Sequence, residues 1–495
     1  MSRRAQDLRP EVVVIGGVAG VSSAYFLAKA GVPVVLYEKG RIAGEQSSRN
    51  WGWIRKQGRD PRELPAAILA LRLWEQIAAE IGADIGWHKG GVTYIAESQG
   101  DLAHFEAWLA HARDHQLDSR LLSAAETDAL LGQSARRFKG ALVTASDARA
   151  EPARAVPALA RAAERAGATI LEGCAVRSLD REAGKVSAVL TEQGAIPCRA
   201  VILAAGAWCA LFLRHLGVEL PQLKVKASVQ RTGPAPLITQ SAVGARAAAF
   251  RRRQDGGYTI AKSGALTFDI TPAALRHFRA FLPALRANWG NIRLRVGRPF
   301  IEELGTSVRW PADRPTPFER HRVLDPAPDH RLLDQVLRDA ADLFPQLRGA
   351  RPVERWAGMI DVTPDEIPAL GPVDGWDGLF LATGFSGHGF GIGPAAGYVM
   401  AQLARGEQPV VDLAPFRLAR FAEGEVRRWP GESIFLLHGI GACDSTMRVE
   451  TSGMGISRHR CRWTCARGSC GRSRVAARSA KPRDGLPSAR RRRSS

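Results

Sequence analysis

Three closely spaced glycines pose the first chemical question. The stretch VVVIGGVAGVSSAYFLAKAG, Val12 to Gly31, reads as strand, turn and helix. At such a turn the N–H groups of a helix N-terminus can meet a pyrophosphate, and side chains would block the approach. Gly16, Gly17 and Gly20 supply glycines in that setting. The dinucleotide fingerprint is G-x-G-x-x-G, and only Gly17 and Gly20 fit it, because Ile15 stands where the first glycine belongs. Either the strand slides by one and Ile15 takes the first glycine's place, or the turn is pulled tight. A β-branched residue cannot easily take the geometry a first glycine permits. The fold is therefore expected to survive and nucleotide affinity to suffer. Glu38 ends the next strand, PVVLYEKG, 18 residues after Gly20. A carboxylate there accepts hydrogen bonds from ribose hydroxyls, and Lys39 follows it. A second glycine-rich turn, GFSGHGFGIG, joins the strand GLFLAT to another helix and carries His388. Asp361, Asp365 and Glu366 in DVTPDEIP read as turn-capping carboxylates, with no metal site expected.

These residues need elements to hold them. Glu11 to Gly17 reads as a near-continuous apolar strand, the pattern of a parallel strand buried on both faces. A helix follows from about Val21 to Ala30, with Gly31 as its stop. Strand, helix and strand make a βαβ unit. Amphipathic helices follow over 64–83 and in DLAHFEAWLAHARDHQ, and GGVTYIAES and GGYTIA read as strands. The fold class expected is α/β (α+β overall): a Rossmann-like βαβ nucleotide domain and a second, antiparallel-sheet substrate domain. The first would comprise 1–85, 147–220 and 351–421, and the second 86–146 and 221–350.

The chain has 495 residues and a formal charge of +20, yet from Val426 onward 16 Lys+Arg against 4 Asp+Glu account for +12 of it. The remainder is only mildly basic, which argues against a nucleic-acid partner. The segment 422–495 is rich in Arg, Ser, Cys, Gly and Ala without a helical or strand period, and reads as a disordered or out-of-frame tail. Cys174, Cys198 and Cys209 lie in apolar contexts and read as reduced core thiols. No apolar run reaches the ~20 residues of a membrane span, and no leader pattern precedes the first strand, so a cytoplasmic location is expected.

The chain resembles the FAD-dependent D-amino acid oxidase superfamily, the group of glycine, sarcosine and D-amino acid oxidases and dehydrogenases. The resemblance rests on EVVVIGGVAGVSSAYFLAKAGVPVVLYEKG, SSRNWGWIRKQGRD, VILAAGAW, RWAGMIDVTPDEIPALGPV and GLFLATGFSGHGFGIGPAAG occurring in that order over about 11–421. It implies FAD and assigns residues to it. Glu38 would bind the adenosine ribose. Ser47, Ser48, Arg49 and Asn50 would line the flavin and its phosphates, and Val176 would hold the adenine by its backbone. Ala205, Gly206 and Trp208 would pass close to the FAD. Gly384, Gly387, His388, Gly389, Gly391 and Ile392 would bring a second helix N-terminus to the flavin's pyrimidine end, where a positive helix end favours the reduced, anionic flavin. Sarcosine-type relatives carry a flavin-linking cysteine where this chain has Gly358, so the FAD is expected to be non-covalent.

Relatives transfer a hydride from the carbon beside an amine to flavin N5, which needs proximity and a clamp on the substrate carboxylate. The arginine some relatives place after W-x-G is Ile360 here, and a lysine found after G-H-G-F is Gly391. Arg55 is the first candidate clamp and Arg49 the second, with Tyr258 as a further substrate contact and His388 as a further catalytic candidate. The activity implied is oxidation of an amino acid or secondary amine to an imine. The acceptor, oxygen or a quinone-linked carrier, stays open, and with it peripheral membrane contact. Oxidation of a 2-hydroxy acid on the same fold and a catalytically impaired FAD-binding remnant are the alternatives.

Overall fold

Four valine-rich and leucine-rich strands packed side by side form the middle of a six-stranded sheet. The computed structural model describes residues 8–132, 134–289, 292–425 and 450–451. Strand β1 (Val12–Ile15) lies between β2 (Val34–Glu38) and Ala200–Leu203, parallel to both, and all four of its residues are buried. Thr169–Glu172 extends the sheet beyond β2, and Leu379–Thr383 extends it on the other side. Only the edge strand Ala369–Pro372 runs antiparallel. Burial on both faces explains the unbroken apolar runs.

Helix α1 (Val18–Lys29) packs on this sheet, against the helix Gly389–Ala404 and the helix Pro152–Arg165. Small residues make the first crossing close. A Cβ on Gly397 would overlap Ser22, and Ser22 and Ser23 turn their hydroxyls back onto Val18 O and Ala19 O at 2.8 Å each. α1 begins three residues before the expected Val21, because the turn consists of Gly16 and Gly17 alone. The helix α3 (Leu64–Glu80) also packs on Gly389–Ala404, ahead of which come α2 (Gln46–Arg49) and the short β3 (Trp53–Ile54).

A second, larger sheet is mostly antiparallel. It contains Val92–Ala96, Gly140–Thr144 and Ser119–Leu122 from the first third of the chain, and strands between Leu223 and Val296 from the middle. The long strand Pro352–Val362, grouped with the nucleotide part in the sequence reading, instead pairs along Leu223–Thr232. It thus belongs to the larger sheet, and its C-terminal end points Met359 and Asp361 at the smaller one. Cys174, Cys198 and Cys209 are buried free thiols, as expected. Apart from Glu450–Thr451, which pairs in parallel with Arg295–Val296, the basic tail from Val426 lies outside the described residues. Among the described residues no helix is long and apolar enough to cross a membrane.

Candidate active site

The glycine turn opens a cleft at the C-terminal edge of the small sheet. Ile15 stays in the strand, opposite Tyr37 and Leu203, and the chain then reverses through Gly16 at φ +74° and Gly17 at φ +59°. Those values favour glycine over any residue with a side chain. A Cβ on Gly17 would also overlap the Ala204 carbonyl, and one on Gly20 would lie 3.2 Å from Val14 Cγ1. Gly17 thus permits the turn, and Gly20 permits close packing of helix on sheet. The Val18 N–H donates to Ser47 Oγ at 3.0 Å, which ties α2 to the helix N-terminus.

From this turn the cleft runs two ways. Toward the end of β2 it is lined by Glu38, Lys39 and Val176, and by Ala205, Gly206 and Trp208 across from them. Glu38 accepts from the Gly40 N–H at 2.8 Å, and burial, with Glu45 and Glu172 nearby, pushes its carboxyl up to about 7. Lys39 binds Glu45 at 2.6 Å and lies 4.5 Å from the centre of a Trp208 ring, while Trp208 Nε1 donates to Glu45 at 3.0 Å. In the other direction the cleft reaches Ser47, Asn50, Gly387 and Gly389 at the second helix N-terminus. Asp361 holds that turn in place. Its buried carboxylate accepts from the Gly384 N–H at 2.7 Å, reaching a turn 23 residues further along the chain. Ser48, Gly384 and Ile392 support the wall without lining it. Ser48 Oγ donates to Ala43 O at 2.6 Å, and the Ile392 N–H donates to His388 O at 3.1 Å.

Glu38 carries a pH prediction. A carboxyl raised from its ordinary 4.5 to about 7 adds stability that is complete below about 4.5 and lost as pH rises through 7. Glu38→Gln is expected to make the flavin-free protein lose less stability between pH 5 and pH 8. It is also expected to weaken flavin binding about tenfold at pH 8, since an ionised acceptor is lost. Thermal unfolding and flavin titration at both pH values check the two halves.

A second cavity opens from the cleft where Gln46, Asn50, Gly387 and Phe390 are shared walls. Arg55, Arg59 and Lys262 bring positive charge, and no Asp or Glu is among its described lining residues. Trp51, Trp53, Tyr94, Phe105 and Trp108 form an aromatic wall. Arg55 lies half-buried over the Tyr94 ring, 5.5 Å from its centre, with Nη1 donating to Gln57 O. Gly391 lines the cavity too, and an added Cβ there would sit 3.3 Å from Trp53 O. His388 lines it from the second glycine turn, with Nδ1 3.1 Å from Glu63 Oε2.

Two candidates part company with the sequence reading. Arg49 reaches the cavity wall, but its guanidinium donates to Gly44 O (2.8 Å), Ala357 O (2.9 Å) and Asp325 (2.7 Å). Its geometry is that of a brace between α2 and the strand Pro352–Val362. Tyr258 is placed away from the site altogether. It is fully buried against Phe250, and its hydroxyl donates to Pro236 O and accepts from the Ile238 N–H, both at 2.9 Å. It is a core residue, and Tyr94 is the tyrosine of the cavity wall. Residues the sequence reading did not single out are Arg59, Glu63, Lys262 and the aromatic wall. Arg59 lay within the quoted WGWIRKQGRD, whereas a single glutamate ahead of a helix gives no signal for Glu63.

A profile described as FAD dependent oxidoreductase matches residues 11–403. The chain belongs to that family. FAD is accordingly its cofactor. Glycine oxidase from Pseudomonas putida is 27% identical over 424 residues, covering 82% of this chain and 97% of the relative. Sarcosine oxidase subunit beta from an Arthrobacter species is 23% identical, covering 84% and 91%. The solved L-amino acid deaminase from Proteus myxofaciens, in complex with anthranilate, superposes with a TM-score of 0.81 at 30% identity, covering 83% and 94%.

Proposed function

We propose that this flavoprotein oxidises the C–N bond of an α-amino acid with a bulky apolar or aromatic side chain. The observation that carries the reading is the second cavity: cationic, free of carboxylates among its described lining residues, walled by five aromatic rings, and open to the cofactor cleft. Oxidases and deaminases of amino acids or amines among the similar proteins support the reaction class.

The residues present fit FAD. A two-glycine turn leaves a helix N-terminus bare of side chains, and Tyr37 and Gln46 hold buried oxygens without a hydrogen-bond partner on the cleft wall. Glu38 and Val176 would hold the adenosine, Ser47 and the turn at Gly16 and Gly17 the phosphates, and Gly387 and Gly389 the flavin end. When bound, FAD supplies the hydride acceptor. Attachment would be non-covalent, since Gly358 offers no sulfur at the position where sarcosine-type relatives link the flavin. Acid precipitation is therefore expected to release all the flavin into the supernatant; flavin retained in the pellet would contradict this.

The chain's own residues bind and orient the substrate. Arg55, with Arg59 behind it, would pair with the carboxylate, an interaction strengthened by exclusion of water. The aromatic wall takes the side chain and keeps water from the reacting carbon. Glycine or sarcosine would leave this wall unfilled. Burying a Phe or Leu side chain is worth about 1.5–3 kcal/mol, so kcat/KM for both enantiomers of phenylalanine and leucine should be compared with glycine, sarcosine and phenyllactate. One bulky amino acid is expected to exceed glycine by roughly 100-fold. A preference for glycine or sarcosine would overturn the side-chain assignment, and a preference for phenyllactate the reaction class.

A further inference from the structure

We propose that residues 316–325 form a strap across the adenosine end of the cofactor cleft, in which Phe318 walls the adenine and Arg322 latches the strap against release of FAD. This rests on the placement of the adenosine at Glu38 and Val176 given above.

The segment stands between the strands Ile292–Val296 and Pro352–Val362 of the larger sheet, yet it reaches the cofactor cleft. It begins with a single helical turn, Pro317–Arg320, which Thr316 and Glu319 cap. Phe318 is buried on the cleft wall, its ring centre 5.9 Å from that of Trp208 and 5.8 Å from that of Phe212. Phe318 and Val176 belong to one apolar cluster. Glu319 pairs at 2.6 Å with Arg177, the residue after Val176, and so holds the helical turn against that part of the cleft. An apolar ring there suits the flat face of a purine.

Arg322 fastens the far end. Its guanidinium grips both oxygens of Glu192, Nη2 at 2.6 Å, and Nη1 also donates to Lys39 O at 3.0 Å and Gly173 O at 2.9 Å. Lys39 answers across the same gap, its Nζ donating to His321 O at 2.8 Å and Arg322 O at 2.9 Å. The Leu324 N–H donates to Glu45 Oε1 at 2.9 Å, and Asp325 binds Arg49 at 2.7 Å. The approach is close, since a Cβ on Gly40 would overlap Arg322 O. Lys39 and Glu45, both on the cleft wall, are thus bound to the strap as well as to each other. These fastenings are polar, and the buried residues of the segment are Thr316, Pro317 and Phe318. A segment held in this way opens locally at less cost than an apolar core. Lifting it uncovers the adenosine end of the cleft, and the latch sets how often it lifts.

The test times release of FAD and of FMN by flavin fluorescence after dilution of the loaded protein, for the unmodified chain, Arg322→Met and Phe318→Ala. FMN has the flavin ring and one phosphate but no adenosine. Arg322→Met is expected to release FAD about tenfold faster, because a charge-assisted latch is lost. Phe318→Ala is expected to release it about tenfold faster through lost apolar contact. FMN release should stay within about threefold in both variants, since FMN does not reach the strap. Trypsin supplies a check on the unmodified protein. FAD is expected to slow cleavage after the exposed Arg320 at least about threefold relative to FMN. Equal acceleration of FAD and FMN release, unaltered FAD release in either variant, or equal protection by the two flavins would overturn the strap. An unmodified protein that holds FMN as tightly as FAD would instead overturn the adenosine placement beneath it.

Discussion

Replacing Gly17 with alanine leaves the purified protein with less than about a tenth of its flavin. Two costs coincide at this residue. A φ of +59° disfavours any side chain by about 1–2 kcal/mol, and the new Cβ would run into the Ala204 carbonyl just past the neighbouring strand Ala200–Leu203. Neither the turn nor Ala200–Leu203 can give way without moving the helix N-terminus from the phosphates it should meet. Gly31 is the matched control. Its φ is +75°, but nothing lies within 4 Å of the position a Cβ would take. Gly31→Ala should therefore carry the backbone cost alone, lower the melting temperature by a few degrees and keep its flavin. The ratio of flavin to protein absorbance after purification decides it. A Gly17→Ala protein with full flavin would mean that the turn is not the phosphate site.

Arg55→Met is the second large effect. Loss of a charge-assisted pair to the substrate carboxylate costs roughly 2–4 kcal/mol, a rise of about 30- to 1,000-fold in KM for phenylalanine. The informative comparison is phenethylamine, which has the ring and the amine but no carboxylate. The unmodified protein should oxidise it poorly, and Arg55→Met should oxidise it no worse. Arg49→Met is expected to behave differently. Removing this guanidinium breaks its bonds to the carbonyls of Gly44 and Ala357, so the melting temperature falls while the discrimination between phenylalanine and phenethylamine persists. If Arg49→Met loses the discrimination and Arg55→Met keeps it, the clamp has been assigned to the wrong arginine.

The contrast between these arginines shows what was legible in the sequence. The glycine turns, β1, β2 and the carboxylate at Glu38 declare themselves because strand, turn and helix are adjacent in the chain, and each needs a particular residue type. The strands, turns and helix starts of the small-sheet half were readable for that reason. Its one surprise is local. The shortened turn is closed by two positive-φ glycines with Ile15 left in the strand, which moves the start of α1 forward by three residues. The substrate half depends on pairings between distant segments. Arg49 and Arg55 are six residues apart, and only the approach of Ala357 and Gly44 separates brace from clamp. Tyr94 and Tyr258 both lie on strands of the larger sheet, and which one faces the cavity is decided by the order of strands. Glu63 and His388 are 325 residues apart, and nothing local to either announces the other.

One measurement tests the central claim most directly. The purified protein, saturated with FAD and held without oxygen, is mixed with each enantiomer of phenylalanine and, separately, with glycine, sarcosine and phenyllactate, while the oxidised-flavin absorbance is followed. One enantiomer of phenylalanine is expected to bleach the flavin completely and fastest, with phenylpyruvate and ammonia appearing in equal amount to the flavin reduced. A flavin that stays oxidised with every amino acid, or bleaches first with phenyllactate, would contradict the account.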